Sequence, residues 1–399
     1  MNPIATQRLA AVAATFLATV VVAQPPRRSL RCEPPSLDAF VAKAERDLED
    51  AHDATLARAQ PARLAGATLG WLRLQRADRA IQTLDAMVAR CEAGMPDCED
   101  DPDAWALVAH HWAARALGDY VAVRAAAPLQ RAAERLVDES LRDTRAQTMR
   151  ATALRTHAIG CASDLAQRLE DATTAQELDG AARRALGTFE AAFWREPIGA
   201  FSASPSAHDA AALFPCAIGL LASAEGRAER SLRSSLAADP APCTGASERL
   251  VAKAQLASAI ADELADRIGA DATSDEDAGL RLDATMFALT GLRIATGPGL
   301  DSQWMRLRLR LPRGVARMRV EGLALDGWKC SFDFESALDD PTSHRGVYRV
   351  ESHGPHQASW RQLVVHHGDH AFVVAAIEGA AVALPPRELP VTSPVDRAR

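Results

Sequence analysis

Two helical patterns alternate along the chain between residues 37 and 294. In the first, apolar residues keep to one face. Ile81, Leu84 and Val88 share a face in 78–90, with Arg79, Gln82 and Asp85 elsewhere. Leu129, Ala133, Leu136 and Val137 oppose Arg131, Glu134, Arg135 and Asp138, and Leu178, Ala182, Leu186, Phe189 and Phe193 form a stripe in 174–194. Such stripes predict helices with one buried side. The second pattern is apolar nearly all round, at 104–117, 207–221 and 284–294. A helix without a polar face must be enclosed on most sides.

One-faced helices walling in all-round apolar ones predict a two-layer helical ring, and the abundant alanines let the inner helices approach closely. Three inner segments begin alike, at Asp103, Asp209 and Asp283, where a carboxylate can cap free backbone N–H groups. The expected fold class is mainly α: an α/α toroid over 37–296 with about eleven helices, one short of six hairpins, and no solenoid repeat. From Gly297 the period changes to two. Residues 305–311 read M-R-L-R-L-R-L, and 315–325, 328–334, 347–352, 360–366 and 371–377 continue as short strands. These predict a small antiparallel β-sandwich over 297–384, followed by a disordered tail at 385–399.

The first 36 residues stand apart. Arg8 precedes an apolar run from Leu9 to Val22, and Val21-Val22-Ala23 supplies small residues before a cleavage point, so 1–23 reads as a signal peptide. The run is too short for the ~20 residues of a bilayer span. A Pro-rich linker is expected at 24–36. These features predict a periplasmic or secreted bacterial protein with no integral membrane segment once the signal is removed. Export makes the seven cysteines candidates for disulfides. Cys91 and Cys98 flank a short loop and are the expected bridge. Cys32, Cys161, Cys216, Cys243 and Cys330 have no assignable partners, and the odd number leaves one thiol over.

Composition narrows the chemistry. The 399 residues are 48% hydrophobic, with only 5% aromatic and a formal charge of -7. That balance argues against nucleic acid, which selects basic faces. Lys43, Lys253 and Lys329 are the only lysines, leaving few candidates for Schiff-base chemistry. The single asparagine, Asn2, lies in the signal, which excludes mechanisms needing Asn in the mature chain. No P-loop, dinucleotide fingerprint, G-x-S-x-G or H-E-x-x-H occurs, and no cofactor is expected.

Residues 101–120, DPDAWALVAHHWAARALGDY, resemble the D-G-x-A-W-x-L-x-A…G-D signature of six-hairpin glycosidases. PLQRAAERL from Pro128 looks like the helix that follows it there. FWREPIGAFS from Phe193 resembles their F-W-x-E-x-x-G-x-F, and Asp209 to Pro215 their D-A-x-x-L-x-P. The group is the (α/α)6-barrel superfamily of glucoamylases, trehalases and rhamnosidases, and the resemblance covers roughly 61–236. It implies a pocket at one end of the barrel holding two carboxylic acids, one protonating the glycosidic oxygen and the other activating water. On that basis Glu139 or Asp143 is the expected acid and Glu276 the base. Asp101, Asp103, Trp105, Trp194, His208 and Asp209 are expected to bind substrate, the tryptophans as stacking platforms. The acidic segments 139–143 and 274–277 read equally well as solvated surface, and either tryptophan as core.

The sequence therefore predicts an exported carbohydrate-active protein that binds a saccharide and hydrolyses it through two carboxylates. Scarce aromatics and the missing W-E-x-R-like acid motif keep a non-catalytic scaffold or binding protein of the cell envelope open. A polysaccharide lyase using His110, His157 or His208 with Tyr120 is a further alternative. His366-His-Gly-Asp-His370 has metal-ligating residue types, but alternate strand residues point to opposite faces, so it reads as a polar hairpin and no metal is expected.

Overall fold

The computed structural model describes residues 30–33, 36–58, 60–93, 101–118, 121, 126–140, 148–206, 210–221, 226–237, 246–256, 278–295, 304–308, 315–325, 328–337, 340–352, 362–367, 370–375 and 381–383. The expected signal peptide, the tail, Asp143, His208, Asp209, Glu276 and Cys98 lie outside these residues.

The protein is mainly helical. Its helices are α1 (Ser36–Arg58), α2 (Pro61–Arg73), α3 (Ala77–Ala93), α4 (Pro102–Leu117), α5 (Ala126–Ser140), α6 (Met149–Arg168), α7 (Ala172–Phe193), α8 (Phe214–Ile218), α9 (Gly226–Ala237), α10 (Ala246–Gln255) and α11 (Ala278–Thr290). Local chemistry sets several ends. Asp101 caps α4 by accepting from the amides of Asp103 and Ala104 at 3.1 and 3.2 Å, and Pro102 occupies the first turn, where no N–H is needed. Thr148 caps α6 through the amide of Ala151 at 3.2 Å. Asp171 caps α7 through Thr174 at 3.1 Å.

Burial separates two classes of helix. α4 and α11 are buried along nearly their whole length, as their apolar sequences predict. α2 and most of α6 are buried as well, although Thr68, Arg73, Thr152, Thr156 and His157 gave them a mixed pattern. Thr68 and Thr152 return their hydroxyl protons to the carbonyls of Leu64 and Thr148, at 2.9 and 3.0 Å, so burial leaves those donors satisfied. The amphipathic helices bury one face, slightly rotated from the predicted stripe on α7: Leu178, Ala181, Ala185, Phe189 and Phe193 are buried. The apolar segment 207–221 is not one helix. A 3-10 turn at Ala210–Leu213 gives way to short α8, because Pro215 cannot donate a helical hydrogen bond, and Gly219 at φ 94° ends it.

The buried helices pack in chain order: α2 on α4, α4 on α6, α6 on α8, α8 on α10, α10 on α11, and α11 back on α2. The amphipathic helices lie against them, α1 on α2 and α11, α3 on α2 and α4, α5 on α4 and α6, α7 on α6, and α9 on α10.

Strands follow where the two-residue period predicts them, with two corrections. β4 (Trp304–Arg308), β5 (Arg317–Leu325), β6 (Trp328–Ala337), β7 (Asp340–Ser352), β8 (Gln362–His367), β9 (His370–Ala375) and β10 (Ala381–Ala383) join β2 (Trp194–Arg195) and β3 (Ala200–Phe201), which pair only with each other. First, the expected linker contains β1 (Leu30–Glu33), antiparallel to β5 with Cys32 opposite Met318, so sheet order is β1-β5-β6-β7-β10. Second, the arrangement is not wholly antiparallel. β4 and β8 pair in parallel within a separate β4-β8-β9 sheet. The chain leaves β4, builds β5 to β7 in the other sheet and returns, which supplies the long crossover a parallel pair requires. His367 pairs with His370, making the histidine-rich segment the β8–β9 hairpin.

Candidate functional site

Asp101, Asp103 and Glu139 converge on a guanidinium. Arg135 in α5 donates from Nη2 to Asp101 at 2.7 Å, from Nε to Asp103 at 2.7 Å and from Nη1 to Glu139 at 2.5 Å. Arg155 in α6 donates to the other oxygen of Asp101 at 3.0 Å and faces Glu139 at 3.6 Å. Burial works against the Arg135 charge, yet the three carboxylates outweigh it and hold the guanidinium above its ordinary pKa. Asp103 does not cap α4, which Asp101 does instead. Asp283 is no cap either: it sits inside α11, bonded to Arg73 of α2 at 2.7 Å.

Trp105 is core. It is 3% exposed and meets Trp112 and Phe214 edge to face at 6.3 and 6.2 Å, leaving no free ring face for a sugar. Phe214, at the start of α8, is in turn covered by Arg150 from the first turn of α6, whose guanidinium carbon lies 3.9 Å over the ring. Nη1 of Arg150 reaches Glu248 in the first turn of α10 at 3.3 Å. Groups near the N-terminal ends of α4, α6, α8 and α10 thus meet in one charged and aromatic cluster. The sequence reading missed Arg135, Arg150, Arg155, Phe214 and Glu248. Arg150, Phe214 and Glu248 lie in the first turns of their helices and Arg135 one turn before Glu139, whereas Arg155, in the second turn of α6, carries no such signal.

Trp194 lies apart and is half-buried. Its Nε1 donates to Glu196 at 2.7 Å, Arg230 bonds the same carboxylate at 2.6 Å, and Arg227 and Arg230 lie within 5.4 and 5.6 Å of the ring. Hydrogen bonds from Trp194 and Arg230 lower the Glu196 carboxyl pKa. Phe201 packs on Trp194 and Phe189, and Gly199 takes the positive φ of 60° that the turn needs. The F-W-x-E-x-x-G-x-F segment is therefore a hairpin latch.

Of the lyase histidines, His110 and His157 are interior, and His208 lies outside the described residues. His110 donates from Nδ1 to the Ala106 carbonyl at 2.7 Å, and His157 lies 3.5 Å from Cys161 Sγ. Beside them His111 faces Asp164 at 3.3 Å. Burial lowers the pKa of both His111 and His157, the latter further opposed by His111 and Arg293. Tyr120 lies outside the described residues. Cys91 is a free thiol that donates to the Pro102 carbonyl at 3.5 Å, and its expected bridge partner Cys98 lies outside the described residues. Burial, then the bond to Asp103, pushes its thiol well up. No group of three metal-ligating side chains occurs among the described residues, and no helix among them is long and apolar enough to cross a membrane. A shallow depression of about 410 Å³ lies along α7, lined by Thr173, Gln176, Glu177, Gly180 and Arg184.

No protein-family model matches the sequence, and no curated protein matches it. Among solved structures the chain is similar to an alpha-L-rhamnosidase from Dictyoglumus thermophilum. The TM-score is 0.47 at 10% identity, over 76% of this chain and 40% of that one. This chain thus spans less than half the length of that protein.

Proposed function

We propose that the chain is an exported carbohydrate-binding protein, an α/α toroid with a C-terminal β-sandwich, that takes its saccharide at the mouth where α4, α6, α8 and α10 begin. Three features support the toroid. Helices α2, α4, α6, α8, α10 and α11 contact in chain order, the last meets the first, and an amphipathic helix separates each successive pair from α2 to α10. Of the glycosidase-like segments, the one from Asp101 falls at the entry of α4 and the one from Phe193 at the β2–β3 hairpin.

The observation that carries the functional half is the grip of Arg135 and Arg155 on Asp101, Asp103 and Glu139. A general acid must be protonated near neutral pH, and a general base must face a water. Here both oxygens of Asp101 and one oxygen each of Asp103 and Glu139 accept from guanidinium groups at 2.5–3.0 Å, so those oxygens face arginine rather than a water or a glycosidic oxygen. Glu139 is thus a structural ion-pair partner in this reading, and the protein binds without hydrolysing through it. Asp143 and Glu276 are the remaining proposed acids.

The test is a glycan array combined with a chromogenic-glycoside screen of the mature chain, alongside Glu139→Gln and Glu276→Gln. Retention of a glycan, with any turnover unchanged in folded Glu139→Gln, is expected. Turnover abolished by Glu139→Gln overturns the non-catalytic assignment. A folded chain that retains no glycan favours the scaffold of the cell envelope instead.

A further inference from the structure

The charged mouth is not symmetric in what it shows to solvent. Arg150 has 43% of its side chain exposed, against 18% for its partner Glu248. Arg135 has 39% exposed, against 5% for Asp101, 16% for Asp103 and 22% for Glu139. Carboxylates form the floor, and guanidinium groups face outward.

Arg150 differs from the purely structural arginines of this chain. Arg317 saturates itself on Asp333 with two bonds of 2.9 and 2.7 Å. Arg150 makes one long contact of 3.3 Å through Nη1, and its Nε and Nη2 edge has no partner among the described residues. The Phe214 ring lies below, 3.9 Å from the guanidinium carbon. An arginine stacked on an aromatic face keeps its edge donors in a fixed fork, the geometry that matches two oxygens of a carboxylate or sulfate.

We propose that the saccharide bound at this mouth is anionic, and that Arg150 holds its carboxylate or sulfate group. The inference rests on the carbohydrate-binding reading above and adds the charge of the ligand. Neutral sugar hydroxyls are satisfied by mixed donors and acceptors and do not call for a pre-set guanidinium fork. An anionic group uses the open edge of Arg150. Glu248 competes with the ligand for Arg150.

The experiment titrates the mature chain with oligogalacturonate, the same oligomer as its methyl ester, and a sulfated oligosaccharide, at low and high salt. The acid form is expected to bind at least about tenfold more tightly than the ester, a margin of the size a charged hydrogen bond supplies. Added salt narrows that margin. Arg150→Gln removes the preference in a chain whose melting profile is otherwise native. Glu248→Gln, which frees the fork, raises affinity for the acid form, an effect that a merely damaged fold cannot produce. Sulfate binding without uronate binding keeps the proposal and identifies the source of the anion. Equal binding of acid and ester, together with no binding of the sulfated oligomer, overturns the proposal and leaves the carbohydrate reading standing. No binding of any of the three, with none on the wider array, defeats both.

Discussion

Arg73 and Asp283 form a buried ion pair, Nε to Oδ1 at 2.7 Å, although 210 residues separate them in the chain. Their side chains are 1% and 5% exposed. Arg73 ends α2 and also donates to the Leu292 carbonyl at 2.7 Å, just beyond α11. The first and last of the buried helices are therefore tied by charge as well as by packing.

Removing one partner strands the other in the interior, where an unpaired charge is costly. Asp283→Leu is expected to destabilise the fold by about 3–5 kcal/mol in urea titration. The double variant Arg73→Met with Asp283→Leu removes both charges and should recover most of that loss. A single variant within about 1 kcal/mol of the parent would show that the pair contributes nothing beyond its packing.

The same contact depends on Gly70. A Cβ there would meet the Gly279 Cα at 2.7 Å and Leu48 Cδ1 at 2.7 Å. The first neighbour is backbone and cannot turn aside. Gly70→Ala should therefore cost about 1–3 kcal/mol by forcing α2 and α11 apart. Gly187, on the exposed face of α7 with nothing within 4 Å, is the control. Gly187→Ala should instead stabilise by about 0.5–1 kcal/mol, since it only reduces freedom in the unfolded chain and raises helix propensity. Thermal melts of the two variants moving in the same direction would contradict this account.

The helices and the switch to strands near Gly297 were legible because periodicity records burial directly. The inner status of α2 and α6 was not, because Arg73 and His157 look polar in one dimension and are neutralised only by distant or local partners. Asp101 and Glu139 were legible as separate candidate carboxylates, one before a helix and one in the next connection. Their neutralisation was not, since Arg155 lies 54 residues from Asp101. Trp105 read as a platform because aromatic character is visible in sequence, whereas ring contacts with Trp112 and Phe214 are not.

Stability should fall as the solution is acidified below neutral. Burial holds His111 and His157 below the ordinary histidine value of 6.5, so the folded chain resists protonation there while the unfolded chain accepts it. Unfolding then takes up protons, and stability present above about pH 6.5 is lost as pH falls. The slope should approach about 1.4 kcal/mol per pH unit for each histidine between the two values. Asp164 acts lower: burial raises it, but the bond from His111 and the charge of Arg168 prevail and keep it ionised well below the usual carboxylate range. Its contribution is lost only below about pH 4. Urea midpoints at pH 7.5 and 5.5, for the parent and for His157→Gln, check the assignment. A parent midpoint that does not fall with pH would sink it.

Cys91 offers the last test, because a free buried thiol and a disulfide behave differently toward alkylating reagents. Thiolate is the reactive form, and burial together with Asp103 keeps this thiol protonated far above neutral pH. In the folded, non-reduced chain, iodoacetamide at pH 8 should label Cys91 slowly. Adding urea should make labelling fast without any reductant. Peptide mapping distinguishes the outcomes: Cys91 modified after denaturation alone supports the bond to the Pro102 carbonyl. Cys91 modified only after denaturation and reduction together would restore the bridge to Cys98 and require the start of α4 to release its sulfur contact.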